Sequence, residues 1–404
     1  MHPMVKPALR RGWRDLNTVQ FGMTPAHAMT VGPMDTASGS FLDLLNGTRG
    51  LPLLREEGRR MDLSDGQVDA LVAGLAGAGL LDDARGGGPA ADALRERADV
   101  LERLRPDLAS LSLTTSGPGD ALALLAARGA LRVQVRGAGR VGAVLASVLA
   151  GAGVGEVDVR DVGRVEPWDV APGGLSADAL RERRETAARA AVRRAAPGRP
   201  RRTTVAVRHA AREESHALVI VAPRDDVAVH APDPVTAEPL MASGTPHLYA
   251  GVVEGTGVVG PLVVPGATAC ARCLHHGRAD RDPVWPRLVA QWRGGRARRV
   301  GACDLALATA VAGLAAAHAL AFLDGGAPSV ANARWEASLP GLGWRSRPVR
   351  PHPECGCGAV ERVTAEHSSA EGEARATMAV RRPSAEHGTE TVPTRPNGTW
   401  RAHV

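Results

Sequence analysis

The spacing of apolar positions changes period twice along the chain. Asn17 to Val31 holds short extended runs that include Val19, Phe21 and Met29. Beyond them the spacing becomes helical. FLDLLNGTRG (41–50) sets Phe41, Leu42, Leu44 and Leu45 on one face and stops at Gly47. Leu53 to Met61 offers a second short helix. Asp65 can cap a third, with Val68, Leu71, Val72 and Leu75 at helical spacing and Gly79 ending it. A β-rich start followed by three short helices predicts a winged-helix-like α+β domain over residues 1–86. GGGPAAD (86–92) breaks the pattern, and ADALRERADVLERLRPDL supplies a connector helix, so 87–128 reads as linker and connector.

From Leu131 strands alternate with helices. LRVQVR is a strand, Val141 to Ala152 a helix, EVDVRD a second strand, and 177–196 an arginine-rich helix. ALVIVAP (217–223) is an apolar run of the kind buried on both faces of a parallel sheet. This succession predicts a doubly wound, Rossmann-like α/β domain over 129–358. Leu305 to Phe322 is apolar enough to suggest a membrane span. It is mostly alanine and contains Thr309 and His318, so a buried amphipathic helix is expected. The tail, 359–404, is polar and loses all periodicity after Val363, which predicts disorder.

Composition narrows the function classes. Five cysteines in 404 residues are too few for a disulfide-stapled secreted scaffold. The start, MHPMVKPALRRGWRD, lacks the apolar segment of a signal peptide, so a cytoplasmic location is expected. The net charge of +6 comes from 49 basic residues, of which only Lys6 is a lysine. The arginines are scattered among 43 acids except in RRAAPGRPRR (193–202), which reads as a solvated loop. LVAGLAGAGLL in the third N-terminal helix carries no cation, as a DNA-recognition helix would. Neither a nucleic-acid nor a membrane partner is expected.

Two constellations carry chemistry. Gly137-x-Gly139-x-x-Gly142 lies between a strand and a helix, where glycines permit a tight turn, close approach of a phosphate and close helix–strand packing. Asp161 ends the next strand, the position from which a carboxylate takes the ribose hydroxyls of a nucleotide. Cys270 and Cys273, with Cys355 and Cys357, form two close pairs suited to tetrahedral Zn²⁺ in a structural role; His352 is a substitute ligand beside them. Cys303 precedes the helix from Asp304 to Leu323, whose N-terminus would lower its pKa; a small buried hydrophobe is the other reading.

In this order, these features resemble the ThiF/MoeB superfamily of adenylating enzymes over about residues 129–358, GAGVGEVDVRD included. The resemblance implies an ATP- and Mg²⁺-binding Rossmann-like domain that adenylates a protein C-terminus, a four-cysteine zinc site and a homodimer. VEPWDVAPGG (165–174), GPLVVPGATACARCL (260–274), RDPVWPRLVAQW (281–292) and RPHPECGCG (350–358) look like the ThiF-like partner proteins of azole-forming cyclodehydratases. That narrower likeness implies a winged-helix domain that takes a precursor's leader peptide as an added strand and delivers it to a YcaO-type enzyme. The superfamily's catalytic Arg position falls within residues 169–173, which lack arginine; its Lys position falls near Arg184; its metal-binding Asp is replaced by Arg224 or shifted to Asp225. The expectation is therefore a peptide-binding protein with a degenerate nucleotide site. The alternative is an active adenylyltransferase acting on a peptide or small carrier protein, using Arg184 and Asp225, with Cys303 as acyl acceptor. A nicotinamide-dependent oxidoreductase would leave the paired cysteines unexplained.

Overall fold

The computed structural model describes residues 1–198, 216–295 and 300–360, so the expected disordered tail lies outside the described residues from 361 onward. Two compact units are present, Met1–Gly129 and a second that begins at Ala130.

In the first unit, β1 (Pro3–Val5) pairs with β5 (Leu81–Asp83), while β2 (Arg11–Trp13), β3 (Val19–Phe21) and β4 (Met29–Val31) form an antiparallel sheet in that order. Helices α1 (Thr36–Phe41), α2 (Leu51–Arg60) and α3 (Asp65–Gly77) follow the three-stranded sheet. Two boundaries differ from expectation. Asp35 accepts the Ser38 N–H at 2.7 Å, so α1 starts before the apolar run and ends at Phe41, and Leu42–Leu44 forms only a 3₁₀ turn. Ser64, not Asp65, caps α3, through a reciprocal box with Gln67. Phe21, Phe41, Leu54, Leu71, Leu75 and Leu81 are buried in one core. Helices α4 (Gly88–Arg95), α5 (Ala98–Thr114) and α6 (Asp120–Arg128) enclose a separate cluster of Val100, Leu104, Leu111, Ala121 and Leu125. Lys6 is 2% exposed and its Nζ donates to the Thr115 carbonyl at 2.6 Å; burial lowers its pKa.

The second unit is built on a seven-stranded sheet. Its strands are β6 (Arg132–Arg136), β7 (Glu156–Arg160), β8 (Leu218–Val221), β9 (His247–Val253), β10 (Thr256–Val263), β11 (Ala333–Ser338) and β12 (Arg345–Pro348), in the order β12-β11-β10-β9-β8-β6-β7. The strands from β7 to β9 run parallel, as the alternating pattern predicts, whereas β9 to β12 are antiparallel. The change of direction occurs at Glu254-Gly255, a two-residue turn with φ of 48° and 73°, both positive as a type I′ hairpin requires.

Helices flank both faces of this sheet. Gly257 pairs with Val252 and faces Val311 and Leu307 of α13 (Leu305–Leu323); neighbouring Gly251 faces Val229 of α9 (Asp226–His230) on the other side. α7 (Arg140–Gly151) packs against both α13 and α8 (Arg184–Ala195). α8 is shorter than the expected 177–196, because Ala177–Ala179 is a separate 3₁₀ turn. Three further helices are α10 (Pro234–Ala242), α11 (Ala271–Ala279) and α12 (Trp285–Gly294). Among the described residues α13 is the one helix long and apolar enough to cross a membrane. Its Ala308, Val311, Ala312, Ala315 and Ala319 are fully buried in the main core, the expected stripe.

Candidate functional site

The glycine-rich turn follows β6 at the carboxyl ends of the parallel strands. Gly137 has φ +113°, and a Cβ there would lie 1.9 Å from the Ala222 carbonyl oxygen. A Cβ on Gly142 would lie 2.1 Å from the Gly137 oxygen. Both positions therefore accept only glycine, one for the strand-to-turn approach and one for seating α7. Asp161, just past β7, turns its carboxylate back to the turn: Oδ2 accepts the Ala138 N–H at 2.6 Å. The three glycines and Asp161 are thus brought together as expected.

Arg184 joins them, in an arrangement that spacing does not reveal. Its guanidinium is nearly sealed and donates from Nε to Asp161 Oδ1 (2.9 Å), from Nη1 to the Arg164 carbonyl (2.5 Å) and from Nη2 to the Val162 carbonyl. Its Nη1 also lies 3.5 Å from Asp169 Oδ2. Arg224, beyond β8, completes the network from the opposite side: Nε meets Asp169 Oδ1 at 2.8 Å and Nη2 meets Glu166 Oε2 at 2.5 Å. The Arg224 side chain lies across the turn, so a Cβ built on Gly139 would come within 2.8 Å of its Cγ. Two guanidiniums and three carboxylates interleave here and leave a formal charge of −1.

Asp225 takes a different part. Its Oδ1 accepts the Val227 N–H at 2.9 Å and caps α9. Cys303 lies ahead of α13 and packs against the main core, with its carbonyl held by Arg140 Nη1 at 2.9 Å. Burial raises its thiol pKa against the opposing pull of Arg140, and Asp304 adds to the rise, the reverse of the expected activation. Asp304 itself caps α13 through the Leu307 N–H.

The four paired cysteines converge. Cys270 Sγ lies 3.9 Å from that of Cys273 and 3.6 Å from that of Cys355, and Cys273 lies 3.6 Å from Cys357. Tetrahedral zinc with Zn–S of about 2.3 Å has sulfur–sulfur edges of about 3.8 Å, so these residues fit the ion. The Cys273 thiol holds Cys270 down to about 4, the shared bond and burial push Cys273 up, and burial with the Cys270 charge pushes Cys355 up to about 11. Four thiolates cannot coexist here without a cation. His352 stays outside the set and bonds Asp280 Oδ2 through Nε2 at 2.8 Å. A cleft of about 330 Å³ opens beside the sulfurs, bounded by Met241, Arg272, Cys270, Cys355 and Cys357.

A second polar cluster escaped the sequence reading. The His230 carbonyl accepts from Arg278 Nη1 and Arg334 Nη1, each at 2.8 Å, and the His230 ring meets Trp285 and Trp292 edge-on. Arg278 lies 4.5 Å above the Trp285 ring. Its members come from four separated segments with no common motif, so only RDPVWPRLVAQW hinted at it.

Residues 122–358 match the model of the ThiF family. Among solved structures the chain is similar to E. coli MccB with ATP, at 14% identity over 88% of this chain and 99% of that one, with a TM-score of 0.62. It is similar also to the microcin C7 biosynthetic enzyme MccB in complex with N-formylated MccA, at 14% identity over 89% and 100%, TM-score 0.62. PaaA gives 16% identity over 85% and 99%, TM-score 0.60. At such identities the likeness is one of fold. No curated protein matches the chain.

Proposed function

The chain belongs to the ThiF family, and from that premise we propose that it binds a precursor peptide through its first unit and presents it to a YcaO-type modifying enzyme. The nucleotide cradle is then degenerate. The observation that carries this reading is Arg224, which lies across Gly139 and pairs with Asp169 and Glu166. Phosphate must approach the backbone of such a turn closely, and here an arginine side chain fills that approach. Mg²⁺ also needs a free carboxylate nearby, while Asp161 and Asp169 are paired and Asp225 caps a helix. That pairing supports a degenerate nucleotide site.

Features of the first unit support peptide binding there. The sheet β2-β3-β4 has Met29–Val31 at one edge, and its loops carry Leu16 and Met23, 93% and 73% exposed. A peptide added to that edge gains affinity from main-chain hydrogen bonds and specificity from alternate side chains. Cys270, Cys273, Cys355 and Cys357 would hold a structural Zn²⁺, whose chemistry is to neutralise four thiolates and tie α11 to the 350–358 segment. A homodimer and a cytoplasmic location complete the proposal.

The test uses the full chain. Fluorescence anisotropy with peptides encoded beside its gene should detect binding that ATP does not alter, and ATP–pyrophosphate exchange should be absent. Exchange that disappears in Asp225→Ala would instead favour the alternative, an active adenylyltransferase using Asp225, with Arg184 and Cys303 then to be tested in the same way.

A further inference from the structure

We propose that His276, His352 and Glu354 form a second metal site, distinct from the four sulfurs, for one divalent cation of borderline softness such as Ni²⁺ or Zn²⁺. This goes beyond the peptide-binding reading and does not depend on it. His276 lies one helical turn after Cys273 on α11, and His352 and Glu354 precede Cys355, so closing the sulfur cluster also brings the three together. The two imidazoles stack with centroids 4.8 Å apart and planes 15° from parallel. His276 Nδ1 lies 4.0 Å from Glu354 Oε2, and one ligand atom from each of the three residues lies within 4.8 Å of the others.

The hydrogen bonds around His352 prepare it as a ligand. Its Nε2 lies 2.8 Å from Asp280 Oδ2, and a carboxylate only accepts, so the ring proton belongs on Nε2. Nδ1 is left with its lone pair, which takes the Glu354 N–H over a long 3.2 Å. An aspartate behind one imidazole nitrogen is the outer-shell pattern that orients histidine ligands, and Nδ1 would exchange the Glu354 N–H for the ion. Two imidazoles and one carboxylate suit Ni²⁺, Zn²⁺ or Cu²⁺ and not the all-oxygen preference of Mg²⁺ or Ca²⁺. A shell at about 2.0 Å has ligand–ligand edges near 3.3 Å, so binding requires the His276 ring to rotate out of its stack and the Glu354 side chain, 77% exposed, to swing inward. That rearrangement makes the site weaker than four preassembled sulfurs.

Dialysis of the full chain against EDTA leaves the ion held by sulfur and strips weaker sites; calorimetric titration with Ni²⁺ then reads this one. One further Ni²⁺ per chain is expected. His276→Ala should weaken uptake at least tenfold, and so should Glu354→Gln, a change at an exposed side chain that leaves the fold intact. Asp280→Asn, which touches no metal, should weaken uptake by about 10- to 100-fold. Sulfur-held metal, counted by mass spectrometry, should stay unchanged in all three variants. A titration without a second ion, or Ni²⁺ affinity that survives His276→Ala and Glu354→Gln, overturns the site. An Asp280→Asn variant as tight as the parent overturns the assigned tautomer and the His352 arm.

Discussion

Replacing Arg184 with alanine separates a structural guanidinium from a catalytic one. The side chain is 9% exposed and donates to Asp161 and to the Val162 and Arg164 carbonyls, while Asp169 lies 3.5 Å away. Removal leaves Asp161, 7% exposed, without its guanidinium and holding the Ala138 N–H. Breaking a buried pair by deleting one partner costs about 3–5 kcal/mol. A unit of this size loses roughly 2–4 °C of midpoint per kcal/mol, so thermal unfolding of the full chain should shift down by about 6–20 °C. Arg184→Lys should recover only part, because an ammonium cannot span the same three acceptors. Circular dichroism melts of parent and variants measure both shifts. A midpoint within 2 °C of the parent in Arg184→Ala would refute the structural assignment, and a selective loss of pyrophosphate exchange would return the residue to catalysis.

Metal analysis should find about one zinc per chain, and Cys355→Ser or Cys273→Ser about none; a mercurial entering the cleft beside the sulfurs should release the ion to a chromogenic chelator, and a metal-free native chain would contradict this. Burial, with Arg278 and Arg334, holds His230 down to about 4 from 6.5. The unfolded chain therefore takes up a proton between those pH values that the folded one refuses, so stability is full above about 6.5 and falls as pH drops toward 4. His247, His275 and His318 are lowered by burial in the same sense. Urea midpoints should be lower at pH 5.5 than at 7.5, with a smaller drop in His230→Phe; a higher midpoint at pH 5.5 would contradict the assignment. Lys6, the only lysine, should resist trinitrobenzenesulfonate in the native state and react on unfolding; rapid native labelling at Lys6 would contradict its burial.

Local signals made much of the candidate site legible. The glycine spacing, the acid ending the next strand and the paired cysteines are short-range features whose residue types have few other uses, and all converge in the fold. Parallel strands β6, β7 and β8 were readable because they recur between helices, the first two as alternating runs and β8 as an apolar one. The antiparallel half was not: Glu254-Gly255 is a weaker turn signal than Asn-Gly, and β9 and β10 are so uniformly apolar that they lack a clear alternation. The pairing of Arg224 with Asp169 spans 55 residues, so a charge at either position could be noted but not its partner. Cys303 shows the opposite failure. A helix start in the sequence gives no measure of the apolar packing that raises its thiol pKa.

The borders of the seven-stranded sheet and of the sheet β2-β3-β4 differ in what they would let a visiting backbone do. Among the described residues the large sheet stops at β7, where Glu156, Asp158 and Arg160 are tied into ion pairs, and at β12, where Arg345, Arg347 and Pro348 are exposed. Charge and a missing amide proton make both rims poor templates. The rim at Met29-Thr30-Val31 carries neither. On the proposed reading an extended guest would meet fewer obstacles along that uncharged rim than along the large sheet, and the same fencing discourages large sheets from stacking rim to rim.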